Sequence, residues 1–445
     1  MRKLEGCHFY INIVNLDEVV TKEEKETGNV IHAIHALDTF FTSIEVYSKK
    51  KYSEILKIEK ITGSRLHMYV LEDIMDAYKA VSDIAVYAYM LSTFLNHNIG
   101  KFRSLETFKI QVGCCYGKFY DFIFESDYEA EETTIGYAAN YAAKLQHITD
   151  IGWISISENI YMELQENKDL YCKRTNSTIK KYDQECYYTV NIAKINKSKS
   201  IDSGLEYAKE LANKVNLSDI SFQSPSQKIS FGALTKKEGK KIEGIPLFAD
   251  VRGFTKKFEE DDSNLKEMAN KTQDILTAMY NVINKKGIHV QFQGDREFAL
   301  YHNYDSYSCY TDAVTAGMRI IDAVSEYGVC VGVGQSIGRM FVSKIGTRGE
   351  KDIVVLGKTV IEADSYEDDY AKENQLVIAN TIYKGLEQTN LQLALQFKPL
   401  NSECYYTTVG YKKFLKILDE KTLKENSQKR NYNGAWKEEC MNKVR

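Results

Sequence analysis

Apolar and polar residues alternate with a period of two over several short runs, such as YINIV at 10–14 and IHVQF at 288–292, which predicts strands. Two longer stretches, DAYKAVSDIAVYAYMLSTFL (76–95) and DAVTAGMRIIDAVSEY (312–327), instead carry apolar stripes at helical spacing. Strands and helices recur in one order along the chain. The order is a strand, a pair of helices, a glycine-centred hairpin, a helix, a second hairpin, a helix and closing strands. Helices segregated on an antiparallel-rich sheet predict an α+β fold of the ferredoxin-like kind.

The order recurs because the sequence does. ECYYT stands at 185–189 and again at 403–407. Upstream, TTIGYAANYAAKLQ (133–146) matches VVLGKTVIEADSYE (354–367), and ITGSRLHMYV (61–70) matches FQGDREFALY (292–301). YINIVNLDEV (10–19) matches FADVRGFTKK (248–257), and Gly136 follows Gly117 at the spacing with which Gly357 follows Gly338. The chain is therefore expected to hold two copies of one domain, at 1–195 and 240–412. Residues 196–239, with a helix candidate LEYAKELANKV, are expected to link them, and 413–445 to form a terminal helix and tail.

Composition narrows the setting. The 445 residues are 43% hydrophobic and 27% charged, an ordinary globular balance. A net charge of −4 gives no footing for nucleic acid or a membrane surface. Nine cysteines without CxxC spacing point to reduced thiols in a cytoplasmic protein. No apolar run is long enough to span a bilayer, and the first ten residues lack a signal-peptide core.

The chemistry lies where the copies differ. In the second copy Asp250 follows an apolar run, and Asp295 sits at the tip of a Gly-Asp hairpin. Two hard oxygen ligands at adjacent strand ends suit a pair of Mg²⁺ or Mn²⁺ ions, which activate an attacking oxygen and neutralise a triphosphate. Gly253, Phe254 and Thr255 then turn the chain into a helix N-terminus able to take phosphate oxygens. The first copy has Asn12 and Ser64 at the two carboxylate positions and lacks the charge that ions need.

FADVRGFT, QFQGDREF and the GVGQSIGRM…VVLGKTV segment together resemble the catalytic frame of class III nucleotidyl cyclases, over both copies. The resemblance implies two cyclase domains paired head to tail, here an intramolecular pseudo-heterodimer with its site at the seam. It assigns the metals to Asp250, Val251 and Asp295, and a contact to the outer phosphates to Arg339. The family's ribose-orienting Asn and transition-state Arg fall on Ile361 and Ser365 in the second copy, which can do neither task. In the first copy they fall on Asn140 and Lys144, four residues apart and so on one helix face. Lys144 keeps the charge of the usual Arg without its fork. Each copy keeps what the other has lost, which implies one working site and one degenerate site. Lys180 or Lys181 is a further candidate for the terminal phosphates.

The family's base-reading positions fall on Lys60 and Thr133, a donor and a donor-or-acceptor. Uracil and adenine both satisfy that pair, and guanine would want an acidic acceptor that neither position supplies. A bare pair of cyclase domains resembles the pyrimidine cyclases of bacterial anti-phage (Pycsar) systems. There a cyclic nucleotide product is read by a separate effector protein. The expectation is UTP as substrate and cyclic UMP as product, the alternatives being ATP and cyclic AMP, or a catalytically silent nucleotide-binding pseudo-cyclase.

Overall fold

The computed structural model describes residues 2–125, 130–175, 185–253, 265–349 and 352–421. Two sheets of one plan account for the repeat. The first contains β1 (Arg2–Ile13), β2 (Leu56–Thr62), β3 (Arg65–Val70), β4 (Ile110–Glu125), β5 (Ala130–Ile135), β6 (Trp153–Ser157), β7 (Cys172–Thr175) and β8 (Cys186–Asn191). Its order is β2-β3-β1-β4-β6-β8-β7, with β5 on β4. The second contains β9 (Ser221–Gln223), β10 (Glu238–Arg252), β11 (Ile288–Gln293), β12 (Arg296–His302), β13 (Cys330–Gln335), β14 (Gly338–Lys344), β15 (Ile353–Leu356), β16 (Gln375–Ala379), β17 (Lys398–Pro399) and β18 (Cys404–Thr407). Its order is β11-β12-β10-β13-β16-β18-β17, with β14 and β9 also on β10 and β15 on β14. The two-strand hairpins β2–β3 and β11–β12 even share a bulge, between Ile58 and Lys60 and between His289 and Gln291. Each hairpin turns on a glycine at positive φ, Gly63 (+55°) or Gly294 (+72°), a conformation that side chains disfavour.

In the first copy, helices α1 (Leu16–Thr27), α2 (Ile31–Tyr52), α3 (Ile74–Asn98) and α4 (Tyr137–Ile148) accompany the sheet. The stripe read at 76–95 falls inside α3, which buries Ala77, Val81, Ile84, Ala88 and Leu91. The stripe at 312–327 becomes the helix Tyr310–Ser325. The segment expected as a linker does more than link. Its helix Ile201–Asn213 sets Ile201, Leu205, Ala208 and Ala212 into the first core. Lys101 Nζ and His35 Nε2 both reach the Ala212 carbonyl at its C-terminal end, at 2.8 and 3.0 Å. Residues 411–421 are helical and bury Phe414 in the second core.

The halves are joined by an exchange of hairpins. Phe124 and Ile135, from the β4–β5 hairpin, belong to the second core, where Phe124 meets Phe292 edge-on at 4.5 Å. Phe341, Ile345, Val354 and Leu356, from β14–β15 of the second copy, belong to the first core. At about 1.5–3 kcal/mol per buried large side chain, six such residues contribute on the order of 10 kcal/mol, an upper bound. Polar contacts flank both crossings. Arg348 donates to the carbonyls of Ile58 and Glu59, and Gly346 N donates to Asp38 at 2.9 Å.

A half-buried imidazole lies at the other crossing. His289 Nδ1 is 2.8 Å from Glu297, and its Nε2 is 3.5 Å from Glu131 of the first copy. Burial alone would lower its pKa, but the two carboxylates outweigh burial and push it up to about 10. A raised histidine pKa stabilises the fold fully below about 6.5, the unfolded value, and loses that contribution as pH rises through the folded value. The melting temperature should therefore fall between pH 7 and pH 10. In His289→Gln the pH-dependent fall should shrink by a few degrees, a difference of about 2 kcal/mol or more. Parallel melting curves against pH for the two proteins would refute this ion pair.

Candidate active site

The register of the second sheet places Asp250 opposite Arg296 on β12 and Gly332 on β13, with Asp295 in the turn just before Arg296. The carboxylates read as a pair in the sequence are thus neighbours at one end of the sheet. Both are held above the ordinary carboxylate range. Burial raises Asp250, against the pull of Arg296, Arg252 and Lys144. Burial and then the Asp250 charge push Asp295 up to about 8, again against Lys144. Two crowded, partly desolvated carboxylates are a donor set suited to hard divalent cations, which would relieve the repulsion. Val251 packs its side chain in the second core, so only its main chain is left to face an ion.

In the first copy the two matching positions carry no charge. Asn12 sits opposite Arg65 just as Asp250 does opposite Arg296, and Ser64 Oγ donates to Asn12 Oδ1 at 2.7 Å. A cavity of about 240 Å³ lies there, lined by Asn12, Ser64, Gln291, Ile361 and others. The lining also includes the carboxylates of Asp17 and Asp364, but the two positions that match Asp250 and Asp295 are the uncharged Asn12 and Ser64.

Lys144 and Asn140 lie on α4 of the first copy. Asn140 is half-buried and Lys144 exposed, and the Lys144 charge acts on both Asp250 and Asp295 across the seam. The positions in the second copy are elsewhere: Ile361 lines the cavity at Asn12 and Ser64, and Ser365 Oγ donates to Asp369 at 2.6 Å.

Lys60 and Thr133 come together, Nζ to Oγ1 at 3.4 Å, and both are buried. Their surroundings correct one premise of the sequence reading, that no acidic acceptor is at hand. Lys60 also donates to Glu131 at 3.0 Å and to the Phe292 carbonyl at 2.7 Å, which accounts for all three of its N–H groups. Thr133 Oγ1 donates to Glu59 at 3.4 Å, and Glu59 also accepts from Thr134 and pairs with His67 at 3.1 Å. His67 in turn contacts His8 at 2.9 Å. Burial would raise Glu59 and Glu131. His67 and Lys60 instead pull Glu59 well below its ordinary range, and Lys60 and His289 hold Glu131 at about 2. Neither glutamate was found from the sequence. Glu59 precedes Lys60, but a bulged edge strand hides which neighbours face one pocket.

Arg339 is not brought to the aspartates. It pairs with Glu243 on β10, seven residues before Asp250, which is about 23 Å along a strand at about 3.3 Å per residue. Its exposed guanidinium binds Glu24 of α1 at 3.0 Å, and α1 also lines the cavity at Asn12 and Ser64. Gly253 is exposed at φ +68° after β10. Phe254 and Thr255, and the lysines at 180 and 181, lie outside the described residues.

No family model and no curated protein sequence matches the chain. Among solved structures, it is similar to a class III adenylyl cyclase-like ATP-binding protein from Pseudomonas aeruginosa. That match is 14% identical, covers 94% of this chain and 90% of the other, and has a TM-score of 0.65. The adenylyl cyclase CyaB from P. aeruginosa is matched at 15% identity over 38% of this chain and 94% of its own, with a TM-score of 0.33. The guanylate cyclase domain of RhGC from Catenaria anguillulae is matched at 13% over 43% and 98%, with a TM-score of 0.34. Among the described residues no helix is long and apolar enough to cross a membrane. Two like α+β sheets and a similarity running nearly the full length of both chains give this protein the fold of two tandem class III cyclase domains.

Proposed function

We propose that the protein is a nucleotidyl cyclase with one working site, which converts a nucleoside triphosphate to its 3′,5′-cyclic monophosphate and pyrophosphate. The observation that carries this reading is the division of parts across the seam. Asp250 and Asp295 come from the domain at 240–412, while Asn140 and Lys144 come from the domain at 1–195. Asp250, the Val251 main chain and Asp295 would hold Mg²⁺ or Mn²⁺, which would lower the pKa of the ribose hydroxyl and screen the triphosphate. Asn140 orients the ribose, and the Lys144 ammonium offsets charge that builds on the α-phosphoryl oxygens. Gly253, with Phe254 and Thr255 after it, receives the phosphates.

For the base, UTP is the preferred substrate and cyclic UMP the product, a messenger for a separate effector in anti-phage defence. Thr133 supports this, since its hydroxyl already donates to Glu59 and so offers the base a lone pair, as uracil N3–H requires. Lys60 would turn one N–H from the Phe292 carbonyl to uracil O4. Adenine, with its amino group on Thr133 and N1 on Lys60, fits the same pair. A second reading is nucleotide binding without turnover, compatible with a structural neighbour described as an ATP-binding protein.

Pyrophosphate release measured with each of the four triphosphates tests all of these. UTP should be turned over at least tenfold faster than the rest. ATP in first place would replace UTP, GTP in first place would assign Glu59 or Glu131 to the base, and no turnover at all would leave the binding reading. Lys60→Ala should cut kcat/KM for the best substrate about ten- to a hundredfold and flatten the ranking, because a buried polar group left unpaired costs about 1–3 kcal/mol. An unchanged ranking would remove Lys60 from the base pocket.

A further inference from the structure

Arg252 lies two residues beyond Asp250, on the same face of β10. Its Nη1 contacts Asp250 Oδ2 at 3.3 Å. Its Nη2 donates to the main-chain carbonyls of Glu367 and Ala371, at 2.6 and 3.0 Å, and pairs with the buried Glu367 carboxylate at 2.6 Å. The guanidinium is seated against Gly332, the residue opposite Asp250 on β13. A Cβ there would stand 2.0 Å from Nη2. Arg252 is therefore a fixed cation held against a carboxylate that the site needs for metal.

The sister copy supplies an internal control. Val14 follows Asn12 at the same spacing, Gln111 is the residue opposite Asn12 on β4, and Gln146 follows Gly136 as Glu367 follows Gly357. The arginine, its glycine seat and its buried carboxylate are thus all present beside the aspartates and all absent where the aspartates are lost. Arg296 also acts on Asp250, but its counterpart Arg65 is kept in the first copy, so unlike Arg252 it does not come and go with the aspartates.

We propose that Arg252 is a positioning residue and a built-in counter-cation, which fixes Asp250 and offsets part of the charge of the aspartate pair, so that divalent metal is held weakly until a triphosphate brings its own charge. This rests on reading Asp250 and Asp295 as the metal site. A unit charge at this range, in surroundings intermediate between water and protein interior, changes cation affinity by about ten- to a hundredfold.

The test is Mn²⁺ binding to the nucleotide-free full chain, followed by the electron paramagnetic resonance signal of free Mn²⁺. Arg252→Gln should bind Mn²⁺ about tenfold or more tightly than the wild type, a gain that mere structural damage does not produce. Arg252→Lys keeps the charge without the fork and should stay within about threefold of the wild type. Asp250→Ala should lose the binding. If Asp250→Ala loses it but Arg252→Gln is no tighter than wild type, the metal reading stands and the counter-cation falls. If Asp250→Ala binds as the wild type does, the metal reading itself falls. Should Arg252→Gln fail to fold, a tightened Arg252→Lys would still overturn the role of charge, and an unchanged one would uphold it.

Discussion

Asp250→Ala and Asp295→Ala should each lower turnover by about 10³-fold or more, equivalent to about 4 kcal/mol of transition-state stabilisation, without unfolding the protein. The two carboxylates sit at one end of the second sheet, and the corresponding positions in the first are Asn12 and Ser64. The thermal stability of the variants separates chemistry from structure. An aspartate whose folded pKa is raised above its unfolded value costs stability at neutral pH, since the folded state resists an ionisation that the unfolded state completes. Alanine removes that cost. The melting temperature of Asp295→Ala should accordingly match or exceed that of the wild type while activity is lost. Near-normal Mn²⁺-dependent turnover in either variant would end the metal assignment. Lost activity with a sharply lower melting temperature would mean that the aspartates serve the fold.

The second large effect should come from dividing the chain. Residues 240–445 contain Asp250 and Asp295 but neither Asn140 nor Lys144, and 1–239 contain the reverse. Each fragment alone should show no measurable turnover, and mixing them should restore it. Separation also uncovers Phe341, Ile345, Val354 and Leu356 in one fragment and Phe124 and Ile135 in the other. At about 1.5–3 kcal/mol each, these are enough to leave either fragment marginal, so each should bind an apolar dye until its complement is added. Turnover by 240–445 at the full-chain rate would refute a site shared across the seam.

The sequence carried the architecture because the repeat anchors are backbone necessities. Gly63 and Gly294 mark hairpin tips at positive φ, and ECYYT marks the closing strands, so order and spacing survive where other residues have diverged. The aspartate pair was legible for a related reason: one strand end and one hairpin tip fix both positions. What escaped was partnership across the seam. Periodicity shows which way a side chain faces but not what a different half of the chain sets opposite it, so Glu131, His289 and the Phe292 carbonyl were invisible around Lys60. Register sets Arg339 apart from the aspartates. The glycine before it marks the start of β14, yet β14 pairs with the far end of β10 from Asp250. The helix at 201–213 was seen as a helix, but nothing in its own spacing named α2 and α3 as its neighbours.

The hairpin exchange also sets a timetable for synthesis. The first core includes Val354 and Leu356, which leave the ribosome roughly 160 residues after the end of its own sheet. At about 5–20 residues per second, the nascent first half waits about ten to thirty seconds with an apolar face uncovered. During that interval the same face on a neighbouring nascent chain is an equally good host for the second half's hairpin. Translation speed and chaperone supply, rather than the stability of the finished protein, then decide how much of it reaches the one-chain form.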